Sequence, residues 1–123
     1  MRGGEISTIA KLHPSGRWIT VNVVVAGTRT LSMVLDTGAP VSALSPHTGT
    51  ILEARGLASP SSDPRVRVLR NLTIAGHSVP DLEVRLLARL DRIQVVGLLG
   101  LDFLRLFEDV HFNVPSLRLR LVR

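Results

Sequence analysis

The sequence predicts an all-β domain, and three observations carry that reading. Apolar and polar residues alternate in short runs: Leu82, Val84 and Leu86 against Glu83 and Arg85, then Leu117, Leu119 and Leu121 against Arg118 and Arg120. A period of two marks a strand with one face buried. Turn-forming steps at Ala26-Gly27 and Ala75-Gly76 separate such runs. Helical periodicity is scarce. Strands this short and closely spaced suggest a small barrel or sandwich.

In chain order, the β-branched run from Trp18 to Val25 reads as a strand, and Thr30 to Leu35 pairs back on it as a hairpin. Thr48 to Arg55 has room for about two helical turns before Gly56 stops it. Ala58 to Pro64, ASPSSDP, consists of turn and breaker residues and reads as a loop. Arg65 to Leu69, Asn71 to Ile74, Leu82 to Leu86 and Gln94 to Leu99 read as strands, with a turn at Ala75-Gly76-His77. Asp102 to Phe107 suits a short helix, its carboxylate near the N-terminus where the helix dipole favours it. His111 alternates with Val110 and Phe112 on a strand, and Ser116 to Val122 forms the last one. No repeat and no second domain is visible, so residues 1–123 read as one domain with its core at about 18–122.

Composition narrows the functional classes. The chain has 123 residues, 45% of them hydrophobic, with one Trp, three Phe and no Tyr. Few aromatics argue against base-stacking platforms for single-stranded nucleic acid. The net charge is +5 and Lys11 is the only lysine, but the arginines alternate with apolar residues as on a solvated strand face. No basic cluster marks a nucleic-acid partner. With no cysteine, disulfides, thiolate catalysis and Cys-based metal sites are excluded. MRGGEISTIAKLHPSG lacks the apolar stretch of a signal peptide, and no uncharged run approaches the ~18 residues of a membrane span. The expectation is therefore no membrane segment in this chain, with the cytoplasm as default compartment. His13 and His47 sit beside prolines, and no two histidines show metal-ligand spacing; neither a metal nor a cofactor is expected. Ser42 and Ser45 have no nearby base for a Ser-His-Asp triad. Gly97 and Gly100 lack the lysine and Gly-rich run of a phosphate loop.

The chemistry concentrates in MVLDTGAPVSAL, Met33 to Leu44. Met33 and Leu35 share one face of a strand; Val34 and Asp36 share the other. A carboxylate in an apolar run costs several kcal/mol to bury unpaired, so Asp36 must be satisfied or used. Gly38 permits a tight turn whose backbone N–H groups can donate to it, Thr37 offers a hydroxyl toward a neighbouring chain, and Ala39 leaves room beside the acid. The bland alternative is an Asx turn with a purely structural aspartate. Against it, the D-T-G tripeptide continues as A-P-V-S-A-L and is followed by VVGLLGLDFL, Val95 to Leu104.

Asp36-Thr37-Gly38-Ala39 with Ser42, followed by Leu98-Leu99-Gly100 and Asp102-Phe103-Leu104, resembles the retropepsin-like (retroviral-type) aspartic proteases. The resemblance spans roughly residues 18–122. It implies a small closed acid-protease barrel with one short helix in the C-terminal half, acting as a homodimer. It implies an aspartic endopeptidase in which Asp36 is catalytic, Thr37 and Gly38 support it, and Gly38 and Ala39 border an extended peptide substrate. The apolar-apolar-Gly segment is expected to pack behind the acid in a ψ-shaped loop. The chemistry agrees: hydrolysis by carboxylates needs one as base and one as acid. With a single D-T-G, the second acid is expected to be Asp36 of another copy. Asp102 lacks the following Thr-Gly and is expected behind the site.

Two departures stand out. The family's flap, a hairpin closing over substrate, belongs between Gly56 and Leu72, where GLASPSSDPRVRVLRN is short and has no glycine after Gly56. That motivates an alternative function: a non-catalytic dimerisation or peptide-binding module with a reduced flap. Asn113 stands where relatives often carry Asp, and is expected to be structural.

Overall fold

The apolar alternation of the sequence resolves into thirteen strands and three short helices in a computed structural model that describes residues 4–123. β1 (Glu5–Ile9) and β2 (Lys11–Leu12) precede the hairpin β3 (Ile19–Val25) and β4 (Arg29–Leu35). β5 (Ala43–Leu44) leads into α1 (Pro46–Ala54), and β6 (Ala58–Pro60) and β7 (Val66–Leu69) form a second hairpin. β8 (Leu72–Ile74), β9 (His77–Val79) and β10 (Leu82–Leu86) follow, then α2 (Arg89–Arg92), β11 (Gly97–Leu99) and α3 (Leu101–Leu104). β12 (Asp109–Asn113) and β13 (Arg118–Val122) complete the order.

Local chemistry explains the main boundaries. The three-residue β3–β4 turn places Ala26 and Gly27 at φ 51° and 68°, and the Thr28 N–H closes it on Val25 O at 3.1 Å; positive φ at the centre of such a turn matches the twist of the strands. α1 begins at Ser45, whose Oγ accepts the Thr48 N–H at 3.2 Å, with Pro46 at the first helical position. It ends at Gly56, φ 70°.

The strands form two sheets. The larger runs β6-β7-β10-β5-β11-β4-β3-β8-β9, with β2 added on β3; the smaller is β1-β13-β12. β11 lies between β4 and β5, parallel to the first and antiparallel to the second. This is the expected ψ arrangement, and it buries the central strands on both faces. Met33 and Leu99 enter the main core with Val21, Val84 and Phe103, whereas Val34 and Leu98 enter a smaller cluster with Leu90 and Val95. Strands covered on both sides read as continuous apolar runs, which is how Leu98-Leu99 looked in the sequence.

Four expectations need correction. The pairing describes an open ladder ending at β6 and β9 plus a separate three-stranded sheet, in place of one closed barrel. Three helices occur where the resemblance implied one: the helix read from Thr48 starts earlier, at Pro46, because Ser45 caps it, and α2 was not expected at all. Ala58–Pro60 is strand within the expected loop; Pro60 is tolerated because β6 is an edge, where a missing N–H costs no ladder bond. Finally, Gln94 takes φ 57° and the Val95 N–H closes back on Leu90 O at 3.0 Å. The strand expected from Gln94 therefore begins only at Gly97.

Candidate active site

The parallel pairing of β4 with β11 determines where Asp36 sits. The last register pair is Leu35 with Leu99, and the Asp36 N–H donates to Leu99 O at 3.0 Å, carrying the ladder one residue further. The chain then turns. The Gly38 N–H donates to Asp36 Oδ1 at 2.9 Å, and the Ala39 N–H to Asp36 O at 3.3 Å. A Cβ at residue 38 would lie 3.2 Å from that same Oδ1, so glycine leaves the carboxylate uncrowded. Asp36 and Ala39 are half-buried, and Thr37, Gly38 and Pro40 are exposed. Neither Asp36 Oδ2 nor the Thr37 hydroxyl bonds any described residue, which leaves both groups open to solvent or to a partner.

The loop is fixed from behind. The Leu101 N–H donates to Ala39 O at 2.8 Å and the Asp102 N–H to Pro40 O at 3.2 Å. Ser42 is fully buried. Its Oγ donates to Asp102 Oδ1 at 2.7 Å and accepts the Gly100 N–H at 3.0 Å, while its N–H donates to Asp102 Oδ2 at 3.0 Å. Asp102 Oδ1 also accepts the Phe103 N–H at 2.8 Å. Hydrogen bonds to an ionised acceptor are worth about 1.5–3 kcal/mol each. Gly100 is needed for the close approach: a Cβ there would lie 2.7 Å from Ala39 O and 2.8 Å from the Val41 carbonyl. With both its oxygens engaged, Asp102 is a clamp and not a free acid.

The stretch expected to hold a flap contains a built hairpin. Ala58, Ser59 and Pro60 pair with Leu69, Val68 and Arg67. Asp63 organises its tip, accepting the Arg65 N–H at 2.9 Å and bonding the guanidinium at 3.2 Å. The Arg65 side chain, then its backbone N–H, holds the Asp63 carboxyl below its ordinary 3.8. Arg67 pairs with Glu53, tying the hairpin to α1. A cleft of about 90 Å3 separates Val66 of this hairpin and Val84 from Val41, Ser42 and Asp102.

Asp36, Thr37, Gly38 and Ala39, the residues singled out in the sequence, lie in one turn after β4. The sequence shows Ser42 and Asp102 as motif letters but not the bond between them; the Ser at the sixth position after the acid and the G-x-D are the available signal. Among the described residues no cluster of three or more His, Asp or Glu could hold a metal, and His13 is engaged with Ser15 Oγ and Gln94 O.

No protein-family model matches the chain, and no curated protein matches it. Solved structures do. A retropepsin-like aspartic protease from Rickettsia conorii superposes with a TM-score of 0.62 at 21% identity, over 96% of this chain and 89% of that one. The retroviral protease-like domain of Ddi1 from Leishmania major gives 0.59 at 13% identity, over 80% and 79%. The chain thus has the retropepsin-like fold.

Proposed function

We propose that this retropepsin-like chain is an aspartic endopeptidase whose active site forms between two copies, each supplying Asp36. The observation that carries the reading is the exposed loop of Asp36: a half-buried carboxylate with one oxygen bonded to Gly38 N–H and the other free, braced from behind by Ser42, Gly100 and Asp102. Two such acids brought face to face cannot both ionise comfortably, so they share a proton. The ionised one takes a proton from water while the other polarises the substrate carbonyl, and the pair titrates as a unit. Thr37, whose hydroxyl bonds no described residue, supports the acids across the two-fold axis, and Gly38 and Ala39 border the substrate backbone. Substrate lies extended between the halves, its main chain bonded like an added strand. The β6–β7 hairpin occupies the stretch where the family carries its flap and in this reading closes over the substrate, which weakens the motive for a non-catalytic module.

Asp36→Asn tests this directly. Peptide cleavage at mildly acidic pH should fall by at least about 10²–10⁴-fold with the fold intact, and rate per chain should fall on dilution. Cleavage that persists in Asp36→Asn, or a rate per chain indifferent to dilution through dissociation, ends the proposal.

A further inference from the structure

The sheet face that carries Asp36 also carries an aromatic side chain. β3 and β4 pair antiparallel, with Thr20 opposite Val34 and Val21 opposite Met33. Side chains alternate between faces along a strand, so Thr20, Val34 and Asp36 share one face. Continued by two residues, the same register sets Trp18 opposite Asp36 on that face. Residues diagonal across such a pair lie about 7–8 Å apart, within reach of an aromatic ring. Trp18 does pack on the small cluster of Val34, Leu90, Val95 and Leu98. Ala39, from the turn after Asp36, and Leu87 pack on the same cluster. Trp18, Leu87 and Ala39 are each half-buried and form its open rim, whereas the residues beneath are at most 7% exposed. The indole is held from its other side. The His13 N–H donates to Trp18 O at 2.8 Å, and the two rings meet edge to face with centroids 5.1 Å apart. The imidazole is itself pinned: the Ser15 N–H donates to its Nδ1 at 3.1 Å, which makes Nε2 the donor to Gln94 O at 2.9 Å. The Trp18 indole N–H bonds no described residue, which leaves that donor open to solvent or to a ligand.

We propose that Trp18 is a specificity-determining residue: with Ala39 and Leu87 it forms the wall that receives an apolar substrate side chain next to the scissile bond. The inference rests on the endopeptidase reading for its substrate. Two copies then give two walls, one on each side of the bond to be cut. An apolar surface with one polar handle suits a recognition site, and tryptophan is among the residues that carry most binding energy at interfaces. A rim of indole, methyl and isobutyl groups offers a charged side chain no partner, so Leu or Phe fits where Glu or Lys is rejected. His13 acts only through Trp18 and is a positioning residue.

The test uses two peptides that lack tryptophan and differ only at the residues flanking the scissile bond, Leu-Leu in one and Ala-Ala in the other. Wild type should favour the Leu-Leu peptide in kcat/KM. Trp18→Ala should cut that ratio by about 10-fold, and Trp18→Phe, which keeps an aromatic face, should restore most of it. Because Trp18 is the only tryptophan, its fluorescence reports the contact directly. In Asp36→Asn protein, which holds peptide without cutting it, emission should move to shorter wavelength as the Leu-Leu peptide binds. If Trp18→Ala slows both peptides alike and emission in Asp36→Asn does not move, Trp18 is only structural; that overturns the assignment and leaves the Asp36 site standing. An emission shift in a protein whose wild type cuts neither peptide overturns the endopeptidase reading and keeps Trp18 as a peptide-binding wall. No cleavage and no shift overturns both.

Discussion

Two carboxylates in this molecule each gather donors, and they do different work. Asp102 holds Ser42 across sixty positions of sequence, next to a residue with no exposure. Asp63 holds Arg65, two positions away, on the open surface. The first replaces water with protein donors at a buried junction between β5, α3 and the Asp36 loop. The second shapes a turn that water could also solvate. Exposed pairs contribute little because solvent screens them, whereas losing a buried partner leaves polar groups unsatisfied. The comparison teaches that the Asp36 loop draws its rigidity from long-range buried polar bonds, and the hairpin draws its shape from local ones.

The sharpest way to break this contrast is Asp102→Ala. It leaves the Ser42 N–H and hydroxyl hydrogen without acceptors and the Phe103 N–H with Gly100 O alone, so a loss of about 3 kcal/mol is expected in urea unfolding, a large share of the 5–15 kcal/mol typical of a domain. Gly100→Ala comes next. Its new methyl meets the Ala39 and Val41 backbone, and about 1–3 kcal/mol of strain should displace the Asp36 loop, lowering peptide cleavage more than the melting temperature suggests. Ser42→Ala should cost about 2 kcal/mol by the same unfolding measurement. At the other end, Asp63→Ala should leave the melting temperature unchanged and loosen only the hairpin tip, visible as faster amide exchange at Arg65 and Val66.

Acid should separate the two regions as well. Because Arg65 lowers the folded-state pKa of Asp63, its contribution is full above the ordinary 3.8 of the unfolded chain and disappears as pH falls through the lowered value. The tip should therefore stay ordered through the mildly acidic range in which a proton-sharing pair of acids works. Following the Asp63 carboxyl carbon by NMR between pH 6 and 2 checks this; a midpoint at or above 3.8 would contradict the ion pair.

Much of the site was legible because it is written locally. Asp36 to Gly38 and Leu98 to Gly100 announce a strand end, a tight turn and a close approach by residue type alone. The strands β3, β4, β10 and β13 were equally plain, since each alternates or runs apolar over its full length. What the sequence hid depends on partners far away. β1 has a recognisable inward set only once Ile6 and Ala10 are seen in the core, and its partner lies at the other end of the chain. β6 is two-thirds turn residues and exists because β7 pairs with it. The openness of the large sheet is likewise a matter of pairing, which alternation does not encode. In the same way Ser42 and Asp102 were visible as letters, but the bond between them belongs to the folded chain.

That bond also orders events during synthesis. The loop of Asp36 is held by Gly100, Leu101 and Asp102, so a nascent chain that has emerged only as far as β10 presents its acid on an unbraced segment. Bracing of the loop must then await the emergence of α3, whatever part of the chain has already folded.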